Sequence, residues 1–251
     1  MPGNKWEDPQ FPADKTSLTY PQDWAARIKE KPKWAQITWE RPDKIAAFAN
    51  SQGSTELFHG DIEPNDVNQG SLGDCWLLSS MSAIAEYPGR IRKMFINEGV
   101  DQHGIYGIKF TKNGVERTVF VDDRLPQREN KNDELIFTKT QGAELWATLL
   151  EKAWAKVHTN YDRIVGGKSF RALRDLTGAP AFCHDIKDVD PDEVFEMIHE
   201  ADRQKYIICA SSNKKSSTEQ EKKAYKALGL FQGHAYAILR AATVEYKNDD
   251  V

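Results

Sequence analysis

The sequence predicts an α+β fold in which a helical half that carries a cysteine precedes a strand-rich half that carries a histidine. The apolar segment 75–87 has the pattern of a mostly buried helix, and a Pro-Gly pair directly after it would stop that helix. Segments 105–111 and 115–122 are rich in strand-forming residues and bracket an Asn-Gly pair, the strongest short-range hairpin signal. Helix and hairpin together indicate a mixed fold.

Two further segments of the first half are expected to pack on the same core. Apolar residues recur at helical spacing over 143–157, which predicts a second long helix. Residues 1–50 hold four tryptophans among six prolines. This is too aromatic for a disordered tail and too rich in proline for a long helix. We therefore expect residues 1–50 to wrap over the core.

The second half contains the remaining strands. Asp190, with the proline and acidic residues that follow it, predicts a capped helix that ends near residue 201. Strands are predicted at 206–210 and 235–239, and the Ser-, Lys- and Glu-rich segment 211–223 between them is predicted to be a solvated loop.

Glycines mark the boundary between the two halves. We place it near Gly178, which gives a domain of residues 1–178 and a domain of residues 179–251. The two domains are expected to face each other, with the cysteine on one side and the histidine on the other.

Composition and charge exclude several classes of protein. The 251 residues carry a formal net charge of -4 with no basic stripe, which excludes nucleic acid as a partner. No segment approaches the roughly 20 apolar residues that span a bilayer, and residues 1–30 lack the apolar core of a signal peptide. The three cysteines are odd in number and widely spaced, which favours a reducing compartment. We expect a cytoplasmic protein without a transmembrane segment.

Cys75 is the candidate nucleophile. It starts the first predicted helix, where unpaired backbone N–H groups and the helix dipole stabilise a thiolate. Gln69, in the glycine-containing loop before it, could present its amide to an oxyanion that forms beside the sulfur. In the alternative interpretation, Cys75 is a small buried hydrophobic residue and Gln69 an ordinary loop residue.

His234 is the candidate base. It follows a glycine and precedes the apolar strand 235–239, so its imidazole would lie at the mouth of a strand. The other five histidines lie in polar or loop settings, where an ordinary surface or core role is expected: His59, His103, His158, His184 and His199. A zinc site built from Cys183, His184, His199 and Cys209 is disfavoured, because their spacing matches no structural zinc pattern.

Several segments resemble the calpain family of calcium-dependent cysteine endopeptidases. Segment 69–76, which reads QGSLGDCW, is similar to the active-site signature of that family. Further segments similar to calpain sequences, in the family's order, lie at 6–18, 39–42, 121–126, 144–146, 149–153 and 233–236. The resemblance therefore extends over essentially the whole chain.

This resemblance implies a fold and a set of catalytic roles. The fold would be a papain-like cysteine peptidase core of two lobes, with the helical Cys-bearing lobe complete and the β-rich His-bearing lobe incomplete. Cys75 would be the nucleophile, His234 the general base and acid, and Gln69 the oxyanion donor. The substrates would be proteins.

The resemblance also implies that Ca²⁺ binds and regulates the core. In the first lobe the implied carboxylate ligands are Asp66 and Glu144, with backbone carbonyls near His59 and Asp61. Oxygen ligands of this kind suit calcium. In the alternative interpretation, both acids are ordinary surface charges.

The sequence departs from the family pattern at two places. Calpains have an asparagine, in an Asn-Pro-Trp context downstream of the histidine, that orients the imidazole; this sequence ends at Val251 without that segment, and Asn248 is the nearest asparagine. Where calpains carry an arginine that links the two calcium sites, residues 62–65 read Ile-Glu-Pro-Asn.

Two functions are therefore open. The first is a calcium-regulated endopeptidase that cuts proteins through a Cys/His thiolate mechanism. The alternative is a catalytically impaired, truncated calpain-like protein or fragment that binds protein partners without cutting them. Acyl transfer at the same thiol is a third, less favoured reaction, because the segments around the cysteine are peptidase-like throughout.

Overall fold

A computed structural model describes residues 5–45, 48, 55–128, 135–140, 143–212 and 218–244. Within these ranges the helices are α1 (Lys15–Leu18), α2 (Trp24–Glu30), α3 (Cys75–Ala85), α4 (Pro88–Met94), α5 (Trp146–Val157), α6 (Ser169–Thr177), α7 (Pro191–Arg203) and α8 (Glu219–Ala227). The strands are β1 (Ile37–Glu40), β2 (Ile105–Lys112), β3 (Val115–Asp122), β4 (Leu125–Arg128), β5 (Ile208–Ser211) and β6 (Ala235–Ile238). The predicted mixture of helix and strand is confirmed.

The N-terminal segment runs over the core in short pieces. Helices α1 and α2 are only 4 and 7 residues long, and short 3₁₀ turns lie between them and β1. Two side chains of this segment, Phe11 and Trp34, are buried in the core. The prediction that it wraps over the core is confirmed for the described residues.

Pairs of antiparallel strands form the sheets, and the hairpin predicted from the Asn-Gly pair is one of them. Strands β2 and β3 pair from Ile105 opposite Asp122 to Lys112 opposite Val115. Asn113 and Gly114 both have positive φ, 52° and 77°, as a two-residue hairpin turn with the twist of its strands requires. The other pairs are β1 with β4 and β5 with β6.

The predicted helices over 75–87, 143–157 and 190–201 correspond to α3, α5 and α7. At the start of α7 the side chain of Asp190 accepts a hydrogen bond from the backbone N–H of Asp192, so the predicted cap is confirmed. After the N-terminal segment, three helices were not predicted. Helix α4 begins at Pro88, because the Pro-Gly pair that ends the preceding helix also places a proline at the first position of a new one. Helix α6 lies between two glycine breaks and ends at Gly178 with a left-handed φ of 72°.

The third of these helices, α8, corrects the prediction of a solvated loop over 211–223. The Thr218 side chain accepts from the backbone N–H of Glu221, and the Glu221 side chain accepts from that of Thr218. This reciprocal capping box starts a helix in a segment whose composition is typical of a loop. Residues 213–217 lie outside the described residues.

The apolar core lies almost entirely in the first part of the chain. Among the described residues, the buried hydrophobic side chains run from Phe11 to Leu176, and beyond Gly178 they include only Ala235 at the start of β6. Helices α3 and α5 lie in the middle of this core, with the rings of Trp76 and Trp154 packed edge to face at 5.9 Å. Of the described helices, none has both the length and the apolar character of a membrane span.

A buried charge cluster anchors α5. The ammonium group of Lys152 is fully buried and donates to the backbone oxygens of Asp122 and Arg124 at 2.9 and 2.6 Å, and it forms an ion pair with the Asp122 carboxylate. Burial acts to raise the pKa of Asp122, but Lys152 and Arg124 outweigh it and hold that pKa below its usual range. The backbone N–H of Asp8 also donates to Asp122, at 2.8 Å. One carboxylate thus joins β3, α5 and the N-terminal segment.

Replacing Asp122 with Ala is expected to destabilise the fold by about 3–5 kcal/mol, because it leaves Lys152 charged and buried without its counter-charge. Urea unfolding of the two proteins measures the difference. Glu98→Ala, at an exposed acid, is the control and should change stability by less than about 0.5 kcal/mol. Equal stability of Asp122→Ala and Glu98→Ala would contradict the anchoring role.

Candidate active site

Cys75 is the first residue of α3, and its side chain is half-buried. The first-turn N–H groups of a helix have no partner within that helix and carry its positive dipole end. The predicted placement of Cys75 at a helix start is confirmed.

The loop before Cys75 is held closely on one side by the segment that contains Ile136. The N–H and hydroxyl of Ser71 both donate to the Ile136 carbonyl at 2.8 Å. A Cβ atom at Gly70 would lie 1.9 Å from the backbone oxygen of Phe137. Only glycine permits this approach of two backbones.

On the other side, the segment before α6 holds the loop and the start of α3. The Gly166 N–H donates to the Gly73 carbonyl at 2.8 Å, and the Trp76 indole N–H donates to the Ile164 carbonyl at 2.9 Å. Gly167 lies against the Trp76 ring, where a Cβ atom would come within 2.3 Å. Cys75 is therefore positioned by contacts from two distant parts of the chain.

Gln69 lies at the exposed beginning of this loop. Its side-chain amide donates to the Leu72 carbonyl at 2.8 Å, so the side chain folds back over the loop toward the helix start. An amide group has two N–H donors, so the second remains for another acceptor. This geometry is compatible with the predicted oxyanion role, which stays a prediction.

His234 directly precedes β6 and is half-buried. Its backbone N–H donates to the Ser212 hydroxyl at 3.1 Å, and its carbonyl accepts from the Ser212 N–H at 2.9 Å. The imidazole lies edge to face with the rings of Tyr236 at 4.9 Å and Phe231 at 6.0 Å. Backbone and aromatic contacts thus hold the histidine at the end of its strand.

The fold brings the elements that carry the cysteine and the histidine together, because β5 and β6 both pack against α3. The thiol of Cys209 on β5 lies 3.6 Å from the Ser79 carbonyl of α3. Within the described residues no hydrogen bond joins the Cys75 sulfur to the His234 ring. Catalytic hydrogen bonds often tighten only when substrate is bound, so the pairing stays a prediction.

The predicted calcium ligands come from the segment before the loop that leads to Cys75 and from the segment before α5. Backbone pairing of Glu56 with Ala143 and Leu145 brings Glu144 beside His59, whose N–H donates to the Glu144 carboxylate at 3.2 Å. Burial, together with the negative charge of Asp66, raises the pKa of Glu144 to about 7.

The other members of the predicted calcium set lie around this pair. The Asp66 carboxylate accepts from the Glu63 N–H at 2.6 Å. Asp61 is exposed, and the Gly60 carbonyl accepts from the Arg92 guanidinium at 2.9 Å.

The residues present fit a calcium ion only in part. Two neighbouring carboxylates and the carbonyls of a tight loop are the oxygen ligands that Ca²⁺ prefers. However, no group of three or more His, Cys, Asp or Glu side chains among the described residues could hold one metal ion. Backbone oxygens and water would therefore have to complete a calcium site.

Asn248, the nearest asparagine after His234, lies outside the described residues. Two buried acids beside the site were missed from the sequence: Asp74, directly before Cys75, and Glu151 on α5. The sequence does contain a signal for Glu151: an acidic residue lies among the apolar residues of a helix predicted to be buried, and a buried acid needs a partner. Nothing local in the sequence shows that these acids meet.

Comparisons with known proteins identify the family of this chain. The calpain family cysteine protease domain matches residues 6–251. The chain is 30% identical over 96% of its length to "Calpain-type cysteine protease DEK1" of Arabidopsis thaliana and covers 11% of that protein. It is 31% identical over 97% of its length to "Calpain-A" of Drosophila melanogaster, covering 27%, and to "Calpain-2 catalytic subunit" of Mus musculus, covering 33%. The chain thus spans at most about a third of these relatives.

Gly70→Ala is expected to destabilise the protein by about 1–3 kcal/mol or more, because the new Cβ must displace the Phe137 backbone. Chemical denaturation measures the loss. Gly89→Ala is the matched control: nothing lies within 4 Å of its Cβ position in α4, so it should be neutral or slightly stabilising. If both variants unfold at the same denaturant concentration, the close backbone approach is not important.

Proposed function

Because the chain belongs to the calpain family of cysteine proteases, we propose that it hydrolyses peptide bonds in proteins with Cys75 as the nucleophile. The observation that carries this proposal is the position of Cys75 at the first turn of α3, the helix against which the strand that follows His234 packs. Thiol catalysis needs a base beside the sulfur, and this packing brings the segment that carries His234 to the same helix.

The reaction proceeds in two stages. The His234 imidazole takes the proton from the Cys75 sulfur, and the thiolate attacks the carbonyl carbon of the scissile peptide bond. The C–N bond breaks, the leaving amine takes the proton from His234, and a thioester remains on Cys75. A water molecule, deprotonated by His234, then attacks the thioester and releases the new carboxylate and the thiol.

The loop before Cys75 stabilises the charge that develops in each stage. The tetrahedral intermediate places a negative oxygen beside the sulfur, at the start of α3. The second N–H of the Gln69 amide and the unpaired N–H groups of the first turn are donors for that oxygen. The close packing at Gly70 fixes where the loop, and therefore Gln69, lies.

We further propose that the chain is organised as two papain-like lobes that meet near Gly178. The distribution of buried hydrophobic residues supports this, since those of the first lobe form one extended core while the described residues after Gly178 add only Ala235 to it. A substrate would lie between α3 of the first lobe and β6 of the second.

Calcium is proposed to regulate this core through Glu144 and Asp66, with the carbonyls near His59 and Asp61. When bound, Ca²⁺ supplies the positive charge that these two neighbouring carboxylates lack. The support is the raised pKa of Glu144, about 7, which burial and Asp66 cause. A buried acid that is costly to ionise alone becomes a strong ligand once a cation offsets its charge.

A non-catalytic protein-binding role is the second candidate. Large apolar side chains are exposed in the second part of the chain, including Phe182 at 80%, Leu228 at 73% and Phe231 at 71%. Exposed apolar surface of this kind is typical of sites that bind other proteins. In this role the chain would capture proteins without cutting them.

Cys75→Ala is expected to lower hydrolysis of an unstructured fluorescent peptide by at least about 1,000-fold, because the nucleophile is lost. Initial rates of the purified variant and the parent protein measure this. Cys183→Ala, at an exposed thiol, should retain full activity and is the control. Hydrolysis that survives in Cys75→Ala would exclude the thiol mechanism, and a folded parent protein without turnover would favour the binding role.

Glu144→Gln is expected to abolish the rise in melting temperature that calcium causes in the parent protein, because a ligand carboxylate is lost. Thermal unfolding in calcium and in chelator measures the effect without any need for turnover. For the parent protein, the calcium-induced rise should be larger at pH 8 than at pH 6, since Glu144, with a pKa of about 7, is protonated at the lower pH.

Glu98→Gln is the control for the calcium experiment, because it removes an exposed carboxylate outside the proposed set. It should leave the calcium-induced rise intact. A calcium-induced rise that is the same in Glu144→Gln and the parent protein would show that Glu144 is not a ligand.

A further inference from the structure

Asp74 and Glu151 form a buried pair of acids below the candidate nucleophile. Asp74 is the residue before Cys75, and Glu151 projects from α5; both side chains are fully buried. Burial raises the pKa of Asp74 to about 6 and that of Glu151 well above its usual range. Two ionised carboxylates in contact inside a core would repel strongly and lose their hydration.

The contact between the two carboxyl groups requires a proton. Among the described residues, the groups that bond to the Asp74 carboxyl are the Glu151 carboxyl and the backbone N–H of Asp74 itself, and no donor from any other residue reaches its oxygens. Glu151 in turn accepts from the Thr138 N–H, and from the Thr138 hydroxyl at 2.7 Å. Because two carboxyl groups can bond only when one of them is protonated, the pair holds at least one proton.

Few other charged or titratable groups face this pair. Lys31, from the segment before the 3₁₀ turn Pro32–Gln36, acts on Asp74, and its own pKa is lowered by burial and by Arg27. The Tyr161 hydroxyl is buried and has no hydrogen-bond partner among the described residues. It lies in the field of both acids, and its pKa is raised by burial and by them. Asp122 acts on the same tyrosine. Lys31 is the cation whose charge acts on Asp74, and it also acts with Asp162 and Glu30.

The pairing also changes what Asp74 does for its helix. An aspartate at the N-cap usually accepts from a backbone N–H of the first turn, but the Asp74 side chain makes no such bond. Its carbonyl alone closes the first turn, by accepting from the N–H groups of Leu77 and Leu78. The N–H groups beside the Cys75 sulfur are thus not used by the cap, and α3 is attached through Asp74 to α5.

We propose that Asp74 and Glu151 are positioning residues for Cys75, which share one proton between α3 and α5 and thereby hold the first turn of α3 in the orientation that catalysis needs. This inference rests on the proposed thiol peptidase function. The bond ties the helix start to the buried helix α5, while the N–H groups of Cys75 and Trp76 are not used by the cap. Without this bond, the first turn of α3 could move relative to α5 and would carry the Cys75 sulfur with it.

Three variants test this role. Glu151→Gln keeps the bond without a titratable proton, since its amide N–H donates to Asp74 and its oxygen still accepts from Thr138. Glu151→Leu removes the bond and fills similar volume. Asp175→Asn is the matched control, because Asp175 is a buried acid on α6 that pairs with Lys112 and Arg174 and lies outside the pair.

Two readouts separate positioning from general stability. The first is kcat and KM for the fluorescent peptide, measured well below each variant's melting temperature. The second is the rate at which iodoacetamide labels Cys75 relative to Cys183, measured peptide by peptide with mass spectrometry. Cys183 is exposed and distant from the pair, so it serves as an internal reference.

Glu151→Leu is expected to lower kcat at least 30-fold with little change in KM, and to lower the labelling ratio at least fivefold. Glu151→Gln should stay within threefold of the parent protein in both readouts, and so should Asp175→Asn. If Glu151→Leu does not fold, Asp74→Ala breaks the same bond from the other side and leaves Glu151 free to stay neutral. Unchanged kcat and labelling in the folded bond-breaking variant would overturn the proposal.

The stability of the parent protein gives a third check. Because the folded-state pKa values of both acids are raised, their contribution to stability is complete below about pH 4 and is lost as the pH rises through about 6 and above. Glu151→Gln should flatten this decline, whereas Asp175→Asn should retain it; an identical decline in Glu151→Gln would count against the shared proton.

A parent protein that folds and labels as expected but shows no Cys75-dependent turnover would refute the proposed function alone.

Discussion

The structure depends on the charges that α5 carries into the core. Lys152 is fully buried and forms an ion pair with Asp122 at the end of β3, and the same carboxylate binds the backbone of the N-terminal segment at Asp8. Removal of two charges from water is costly, so such a pair persists only when further hydrogen bonds satisfy it. Here the backbone oxygens of Asp122 and Arg124 complete the coordination of the ammonium group.

The neighbouring residue, Glu151, points to a second partner. Consecutive positions on a helix differ by about 100° in direction, so Glu151 and Lys152 contact different elements. Lys152 holds the hairpin strand β3, and Glu151 meets Asp74 at the start of α3. Two adjacent charged residues in one apolar helix therefore link the hairpin, the N-terminal segment and the candidate nucleophile. Polar contacts inside a core specify one geometry more narrowly than apolar packing does.

The surroundings of Cys75 are likewise held by contacts from distant parts of the chain. Backbone contacts at Gly70 and Gly73 come from the segments at Phe137 and Gly166, which lie far along the chain. The site is thus rigid on the side of α3 and its loop. On the other side, His234 is held mainly by Ser212 and by neighbouring aromatic rings near the exposed apolar side chains of its own segment. The two sides of the candidate site differ in how firmly the core supports them.

The sequence by itself determined the local elements and the reactive position. Apolar periodicity and a Pro-Gly stop located α3, the Asn-Gly pair located the β2–β3 hairpin, and the glycines before Cys75 placed it at a helix start. These signals are short-range, because each depends on residues within one or two turns. The same reasoning missed α8, since a capping box was outweighed by a loop-like composition.

Only the tertiary structure decided which distant groups meet. The pairing of β1 with β4 joins two short strands whose sequences show no mutual signal. The meeting of Asp74 with Glu151, and of Lys152 with Asp122, depends on how α5 is rotated against α3 and β3. A sequence pattern can show that a charged residue lies on a buried helix, but its partner is chosen by packing in three dimensions. The protonation of the acid pair follows from that packing, because burial rather than sequence sets the cost of charge.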